Sequence, residues 1–351
     1  MITPSAAEAA FRAAAAGRIL VKDGPYGTAI QALGLGEQDY RGGIAVNHDQ
    51  KGNNDVLNLT RPDAIAGIGR AYIEAGADLL ATNSFNANRI SQADYGLESK
   101  VVEMNRAAAA ILRAEIDTAT ARDGRRRFLA GSLGPTNKTL SLSPKVEDPG
   151  YREVDFDGVK AVYREQIDAL LDGGVDFILI ETVFDTLNAK AAAFAAMEAE
   201  EARAQRVPVM LSMTLTDLAG RNLSGQTVEA FWVSVEHVRP LTIGLNCSFG
   251  ATELRPHVQA LAAQADALLM VYPNAGLPNA FGEYDEAPET TGGLIRRWAE
   301  AGLLNIVGGC CGTTPAHISA MARAVQGLPP RQLPRPAPAL RLSGLEAAVF
   351  A

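Results

Sequence analysis

Short apolar runs separated by amphipathic stretches dominate the pattern of hydrophobic and polar positions along the chain. Each run is rich in Val, Ile and Leu and ends in small or polar residues. The eight runs are residues 18–24, 77–84, 127–134, 175–182, 207–214, 241–248, 267–274 and 304–311. Apolar strands that alternate with helices indicate a parallel sheet covered by those helices. Eight repeats predict a single-domain (β/α)8 barrel, or TIM barrel, with a doubly wound open sheet as the alternative.

The stretch "DGVKAVYREQIDALLDGG" shows the helical periodicity between the runs. Its apolar residues recur every three or four positions and fall mostly on one face. Asp157 is expected to cap the start of this helix and Gly173 to close its end.

Two connections are too long for plain turns, namely residues 31–60 after the first strand and 135–157 after the third. Long strand-to-helix loops lie at the catalytic face of a barrel. Beyond residue 326 the chain becomes Pro-rich, which indicates an extended linker or a strap over the barrel. We therefore expect a barrel over residues 1–326 and a tail over residues 327–351.

The charge balance narrows the range of partners. With 32 Lys and Arg against 40 Asp and Glu, the net charge is −8, which argues against a nucleic-acid or anionic-membrane surface. No uncharged apolar run approaches the length of a membrane span, and the N-terminal stretch lacks a basic leader before an apolar run. Three cysteines are not a disulfide framework. Together these features predict a cytoplasmic protein.

Polar and thiol side chains stand at the carboxyl ends of the predicted strands. In a barrel those ends surround one mouth, so residues from the whole sequence converge on one pocket. These residues are Asp23, Asn83, Ser132, Glu181, Thr214, Asn246, Cys247, Asn274, Cys310 and Cys311.

The three cysteines admit three interpretations. They could be core residues, a redox pair at Cys310 and Cys311, or metal ligands. Catalytic zinc takes three protein ligands and keeps one open position, which three cysteines at one mouth would supply. The glycines around the doublet in "GGCCGTTP" permit the sharp turn that two adjacent ligands need. Zn²⁺ with three thiolates carries a charge of −1, which suits the alkylation of a bound substrate thiol.

Two carboxylates at the mouth, Asp23 and Glu181, could bind the ammonium group of an amino-acid thiol. The alternatives are a helix-cap role for Asp23 and a structural ion pair for Glu181. The four histidines have no metal-ligand spacing.

With these residues in place, the chain resembles the homocysteine S-methyltransferase family, and more closely the homocysteine-binding module of cobalamin-dependent methionine synthases. The resemblance runs from residue 23 to about residue 318. It rests on "DGPYGTAIQ", "ATNSFNAN", "GSLGPTNKTLSLSPKVEDPGYR", "ETVFDTLNAKAA", "GLNCSFGATELRPH", "YPNAGLPNAFGEYDE" and "IVGGCCGTTPAHI".

The resemblance implies a role for each matching residue. The three cysteines would bind zinc, and Asp23 and Glu181 would contact the amino group of homocysteine. Ser132 and nearby backbone N–H groups would contact its carboxylate, while Asn83 and Asn246 would belong to the same substrate site. Asn274 would supply an oxygen to zinc when no substrate is bound. The chain departs from the family pattern at Pro25 and Tyr26, and proline has no N–H to offer a carboxylate.

The resemblance also suggests a methyl donor. The donor in the methionine synthase branch is methylcobalamin, recharged from methyltetrahydrofolate by further modules, and no Asp-x-His-x-x-Gly cobalamin motif surrounds any histidine here. We therefore expect a split methionine synthase, with a separate polypeptide that binds cobalamin and folate. The alternatives are a stand-alone methyltransferase that uses betaine or S-methylmethionine, and a zinc scaffold or thiol-redox module without catalysis.

Overall fold

The computed structural model describes residues 2–350, in which eight parallel strands form a barrel. The strands are β1 (Leu20–Val21), β2 (Leu79–Ala81), β3 (Phe128–Leu133), β4 (Phe177–Val183), β5 (Val209–Met213), β6 (Thr242–Gly250), β7 (Leu268–Asn274) and β8 (Ile306–Val307). Neighbours in sequence pair in parallel from β2 to β8, and β8 pairs with β1. A single bridge between Lys22 and Leu79 joins β1 to β2 and completes the ring. The predicted (β/α)8 barrel is confirmed.

Helices cover the outer side of the barrel and form parts of its loops. They are α1 (Ala6–Gly17), α2 (Tyr26–Ala32), α3 (Glu37–Arg41), α4 (Leu57–Thr60), α5 (Pro62–Glu74), α6 (Arg89–Gln92), α7 (Val101–Asp123), α8 (Phe156–Asp172), α9 (Thr186–Arg203), α10 (Val228–Val235), α11 (Ala251–Gln264), α12 (Pro288–Glu300) and α13 (Pro315–Val325). Within the described residues, none of them is both long and apolar enough to cross a membrane.

The core has two parts because side chains alternate between the two faces of each strand. Leu129 and Leu133 of β3 pack outward against the helices, whereas Phe128 belongs to the interior of the barrel. The first helix closes the amino-terminal end of this interior. Phe11 of α1 meets the rings of Phe128 and Phe177 edge-on, each at 5.1 Å between centroids. Side chains therefore fill the lower part of the barrel.

The long connections differ from each other. Residues 31–60 contain α3, α4 and a 3-10 turn (Asn54–Val56), so this excursion is a folded part of the mouth. The connection after β3 has neither helix nor strand until α8 begins at Phe156. Asp157 was predicted to cap α8, and this is wrong. Asp155 is the cap, because its extended backbone lets its side chain accept the Gly158 N–H at 2.7 Å.

The tail is more structured than a plain linker. It ends in an antiparallel hairpin of β9 (Leu340–Ser343) and β10 (Ala347–Phe350), which the sequence did not predict. The Ser343 hydroxyl donates to the Ala230 carbonyl of α10 at 2.6 Å. Arg331 is buried and donates to backbone carbonyls at the foot of β7. A boundary at residue 326 therefore stays a prediction, since residues beyond it pack on the barrel.

Candidate active site at the carboxyl end of the barrel

The three cysteines meet at the mouth of the barrel. Cys247 lies near the end of β6, and Cys310 and Cys311 directly follow β8. All three sulfurs lie within 4.8 Å of one another, and Sγ of Cys247 is 3.7 Å from Sγ of Cys311. Among the described residues, this is the cluster of His, Cys, Asp or Glu side chains spaced to hold a metal ion. The residues present thus fit a zinc ion in ligand type and in number.

Local backbone strain brings Cys247 into this cluster. Cys247 and Ser248 adopt left-handed φ angles of 62° and 64°, and the register of β6 against β7 shifts between Asn246 and Gly250. A left-handed conformation costs a non-glycine residue roughly 1–2 kcal/mol. The irregularity breaks the alternation of the strand and re-aims the side chain, as bulges beside active sites do.

A tight turn brings the two adjacent thiols to the same place. The Cys310 N–H donates to Pro273 at 2.8 Å, and the Thr313 N–H donates back to the Cys310 carbonyl at 3.0 Å. Gly312 has a φ of +78°, and a Cβ there would lie only 2.2 Å from Cβ of Tyr284. The turn therefore requires glycine at position 312.

The proximity of the sulfurs separates their proton affinities. Hydrogen bonds from Cys247 and Cys310 lower the pKa of Cys311 to about 3. The bond with Cys310 lowers the pKa of Cys247, but the bond with Cys311 and burial outweigh it and raise that pKa to about 11. The pKa of Cys310 is raised well above its ordinary value, first by its hydrogen bond with Cys247. Three thiolates at this distance therefore need a bound cation.

Glu181 lies at the end of β4 with its carboxylate held by two hydroxyl groups. Ser132 donates to Oε1 at 2.5 Å and Tyr272 donates to Oε2 at 2.9 Å. Glu181 is buried but lines the cavity. The carboxylate is thus fixed in position and keeps lone pairs free for a ligand.

Asn246 joins three strands at the mouth. Its Oδ1 accepts from the Thr182 N–H at 3.0 Å and from the Ser212 hydroxyl at 2.7 Å. Its Nδ2 donates to Oγ1 of Thr182 at 2.9 Å and lies 3.8 Å from Sγ of Cys310. Thr182 has a left-handed φ of 59°. Asn246 thus stabilises the strained residue that follows Glu181.

Asn83 ties the folded excursion to β2. Its side chain donates to the Asn54 carbonyl at 2.8 Å and to Oδ1 of Asn58 at 3.3 Å. It also lines the cavity.

Asp23 lies deeper than the other predicted site residues. It is fully buried, and its Oδ1 accepts from Nζ of Lys22 at 2.8 Å while its Oδ2 accepts from the Ala81 N–H at 2.8 Å. Lys22 was not singled out from the sequence, although a lysine at the end of an apolar run was a visible signal. Its Nζ lies 4.6 Å from the centroid of the Tyr272 ring. Burial lowers the pKa of Lys22, but the charges of Asp23 and Glu181 outweigh burial and raise it.

A cavity of about 340 Å³ connects these groups, a volume in the range of small-molecule sites. Seven predicted residues line it: Asn83, Ser132, Glu181, Asn246, Cys247, Cys310 and Cys311. Asp23 and Asn274 lie behind its wall. Oδ1 of Asn274 is buried without a hydrogen-bond partner, and the next residue, Ala275, donates its N–H to the Cys311 carbonyl at 3.0 Å. An orphaned acceptor beside the thiols suits a position near a cation.

The far wall of the cavity contains residues that the sequence reasoning missed. Asp55, from the folded excursion, is 3% exposed, and burial raises its pKa to about 7 although the Asn86 N–H donates to it. The hydroxyl groups of Tyr26 and Thr28 line the same wall and are buried without partners. Pro25, the departure noted in the sequence, also lines the cavity.

Fold and site together define a (β/α)8 barrel with a three-thiol pocket at the carboxyl ends of its strands. The chain belongs to the homocysteine S-methyltransferase family, whose model matches residues 20–325. The reaction of that family is methyl transfer to homocysteine.

Solved structures of the homocysteine methyltransferase MmuM from Escherichia coli are similar in fold. Its metallated form is 23% identical over 87% of this chain and 96% of its own, with a TM-score of 0.69. Its oxidized form has the same identity and TM-score and is covered over 95% of its length. The apo form is 21% identical over 88% of this chain and 96% of its own, with a TM-score of 0.64.

Proposed function

We propose that this chain is a zinc-dependent methyltransferase that methylates the thiol of homocysteine and so forms methionine. The observation that carries the proposal is the convergence of three sulfurs within 4.8 Å of one another on the wall of one cavity. The cavity has room for a small amino acid, and its wall carries a fixed carboxylate, Glu181, that can bind the ammonium group of such a substrate.

Zinc would be held by Cys247, Cys310 and Cys311, with the substrate sulfur as the fourth ligand. Bound there, zinc would lower the pKa of the substrate thiol and keep its sulfur nucleophilic. The unpartnered Oδ1 of Asn274 supports an oxygen ligand in the absence of substrate.

The residues of the chain orient the substrate. Glu181 is fixed by Ser132 and Tyr272, so it can accept a substrate N–H without reorganisation. The two hydrogen bonds between Asn246 and Thr182 hold the strained residue next to Glu181. In the transfer, the substrate thiolate forms a bond to the methyl carbon, the bond between methyl and donor breaks, and the electron pair of that bond leaves with the donor.

The proposed donor is methylcobalamin on a separate polypeptide that also binds methyltetrahydrofolate. The support is the resemblance of the stretches after β3 and at β7 to methionine synthases. The cavity of about 340 Å³ holds an amino acid but not a corrinoid, so the methyl group would be presented at the mouth from outside. Betaine or S-methylmethionine would fit the same cavity and is the alternative.

The tail and the location complete the proposal. Residues 327–351 would be the segment that corresponds to the link between modules in methionine synthases. The three cysteines are free, and a site made of thiolates needs a reducing compartment such as the cytoplasm.

A donor competition on the purified zinc-loaded chain tests this function. Methionine formation from homocysteine is measured with free methylcobalamin, S-methylmethionine or betaine at equal concentration. We expect the fastest transfer from methylcobalamin, with the absorbance change that accompanies formation of cob(I)alamin. Equal or faster transfer from a small donor would overturn the choice of donor.

Zinc analysis and thiol titration separate the enzyme from the non-catalytic alternatives. We expect one tightly held zinc per chain and the release of a proton when homocysteine binds. A protein with an oxidised bond between Cys310 and Cys311 and no zinc would contradict the proposed function.

A further inference from the structure

A buried ammonium group faces the site but has no part in the chemistry described so far. The side chain of Lys22 is 4% exposed and belongs to the wall of the cavity that holds the three cysteines. Among the described residues that line this cavity, Lys22 is the single basic residue, with no Arg or His beside it. Because a buried lysine is costly unless it is paired or used, its position calls for a reason.

Lys22 already occupies the place where a substrate ammonium would meet Asp23. Both carboxylate oxygens of Asp23 are engaged, one by Nζ of Lys22 and the other by the Ala81 N–H. A substrate ammonium could reach Asp23 only by displacing this pair, because Asp23 lies behind the cavity wall. The expectation that Asp23 binds the amino group therefore conflicts with the arrangement around it.

The rest of the cavity is acidic. Its wall contains the carboxylate of Glu181, the partly protonated carboxyl group of Asp55 and the three thiols. The carboxylate of an amino acid entering this space would be repelled unless a cation receives it. Pro25, in the same wall, has no N–H to offer. The structure gives Nζ of Lys22 one hydrogen bond, to Asp23, so two of its three N–H donors remain.

We propose that Lys22 binds the carboxylate of the thiol substrate and that Glu181, without Asp23, receives its ammonium group. This assignment rests on the proposed function, in which homocysteine is the substrate. It makes Lys22 the residue that selects an amino-acid thiol over a simple aminothiol. Asp23 then holds the lysine in place from below.

Three thiols that differ by one charged group test the assignment. They are homocysteine, 3-aminopropane-1-thiol, which lacks the carboxylate, and 4-mercaptobutanoate, which lacks the amine. Binding to the zinc-loaded chain is measured by calorimetry, so the readout does not depend on a methyl donor. The variants are Lys22→Met and the double variant Lys22→Met with Asp23→Asn, which leaves no buried charge unpaired. Lys100→Met, at a surface ion pair, is the matched control.

In the wild type, loss of the substrate carboxylate should weaken binding about 10- to 100-fold, as expected for a hydrogen bond between charged groups. In both Lys22 variants, homocysteine and 4-mercaptobutanoate should bind more weakly by that factor. The affinity for the aminothiol should change less than about threefold, because this ligand has no carboxylate to contact the lysine. The control should bind all three thiols as the wild type does, and zinc content and melting temperature report whether each variant is folded.

Two results would overturn the assignment. If the Lys22 variants weaken all three thiols equally, the lysine supports the site without touching the carboxylate. If the folded double variant still discriminates against the aminothiol as the wild type does, another group binds the carboxylate. Should the zinc-loaded wild type bind none of the thiols, the proposed function fails as well, so the two failures are distinguishable.

Discussion

The two ends of the barrel hold buried charge in opposite ways. At the amino-terminal end, Asp78 is buried. Arg18 donates to both of its oxygens and Arg125 donates to Oδ1. At the carboxyl end, Glu181 and Asp55 face a cavity that contains one ammonium group, Lys22. In the first arrangement each charged group has a partner of opposite charge. In the second, the acidic groups that line the cavity outnumber the cations.

This difference separates what stabilises the molecule from what it does. Three of the residues with left-handed φ lie at the mouth, namely Thr182, Cys247 and Ser248, and strain of this kind is stored at functional sites. The lower end is filled by Phe11 and closed by ion pairs. Stability and function should therefore respond separately to substitutions at the two ends, as is general for barrels.

Removal of one thiol should have the largest effect. Cys310→Ala leaves two ligands, so we expect loss of the zinc and a fall in methyl transfer of ~1,000-fold or more, since a group needed for the chemistry is gone. The melting temperature of the zinc-free variant should match that of the zinc-free wild type within a few degrees. Zinc analysis gives the metal content, a methionine assay gives the rate of methyl transfer, and thermal unfolding gives the melting temperature. Retention of both zinc and activity would contradict the cysteine site.

Substitution at the lower end should do the reverse. Asp78→Asn removes the counter-charge of Arg18 and Arg125. Because both guanidinium groups are partly exposed to water, the loss is mainly that of charge-assisted hydrogen bonds and should cost about 2 kcal/mol of unfolding free energy. Zinc content and methyl transfer at low temperature should stay at wild-type values. Urea unfolding gives the free energy. A variant that keeps its stability but loses zinc would show that the two ends are coupled.

The pH dependence of this effect follows from the pKa of Asp78. Burial alone would raise the pKa, but the hydrogen bond to Arg18 and the charge of Arg125 outweigh burial and lower it. The folded pKa is thus below the unfolded value of about 4. The advantage of the wild type over Asp78→Asn should be complete above about pH 4 and should shrink as the pH falls through the folded pKa.

The contribution of Asp55, at the mouth, to stability should depend on pH with the opposite sign. Its pKa is raised to about 7, so the folded state holds a proton that the unfolded state loses above about pH 4. The contribution of Asp55 to stability is therefore lost as the pH rises from about 4 to about 7. Asp55→Asn cannot ionise and should be more stable than the wild type at pH 8 by about 2 kcal/mol. The full shift would give about 4 kcal/mol, and water in the cavity reduces it.

Urea unfolding of the wild type and Asp55→Asn at pH 5 and pH 8 measures this difference. Asp78→Asn is the matched control, because its deficit should not reverse between these two values. If Asp55→Asn is less stable than the wild type at pH 8, a cation that pairs with Asp55 must face the cavity.

Periodicity was enough to predict the barrel, because each strand is an apolar run bounded by polar residues. It also placed the cysteines at one mouth, since all carboxyl ends of a barrel meet there. Periodicity could not predict how far below the mouth a given side chain lies. Asp23 and Lys22 are neighbours in sequence, yet only the structure shows that they pair with each other.

Other features depend on contacts between distant segments. The hairpin of β9 and β10 forms on α10, more than 100 positions earlier in the chain, so its position depends on a distant contact. Asp55 becomes part of the cavity only because the excursion after β1 folds back over β2. The left-handed φ angles at Cys247 and Ser248 fall on residues that seldom adopt them, so no local rule indicated the bulge that aims the thiol.

Relief of backbone strain should have the smallest effect on stability. It compares the two ends of the barrel directly, because each end contains a non-glycine residue with left-handed φ. Arg239 lies just before β6 at the lower end with a φ of 51°, and Thr182 lies at the mouth with a φ of 59°. Arg239→Gly should gain about 1 kcal/mol of stability, since glycine adopts this conformation without strain, and methyl transfer should not change. Thr182→Gly gains the same relief but loses the hydrogen bond from Asn246, so its stability should stay within about 1 kcal/mol of the wild type.

The activity of the two glycine variants decides what the strain at the mouth is for. Thr182 fixes the backbone directly after Glu181, and a freer backbone there should lower kcat/KM about tenfold by loosening the carboxylate that orients the substrate. Most of the loss should fall on KM for homocysteine, and zinc content should not change. If Thr182→Gly keeps full activity while Arg239→Gly gains stability, the strain at the mouth serves the pairing of β4 with β5, whose register shifts between Ile180 and Val183, and not the orientation of Glu181.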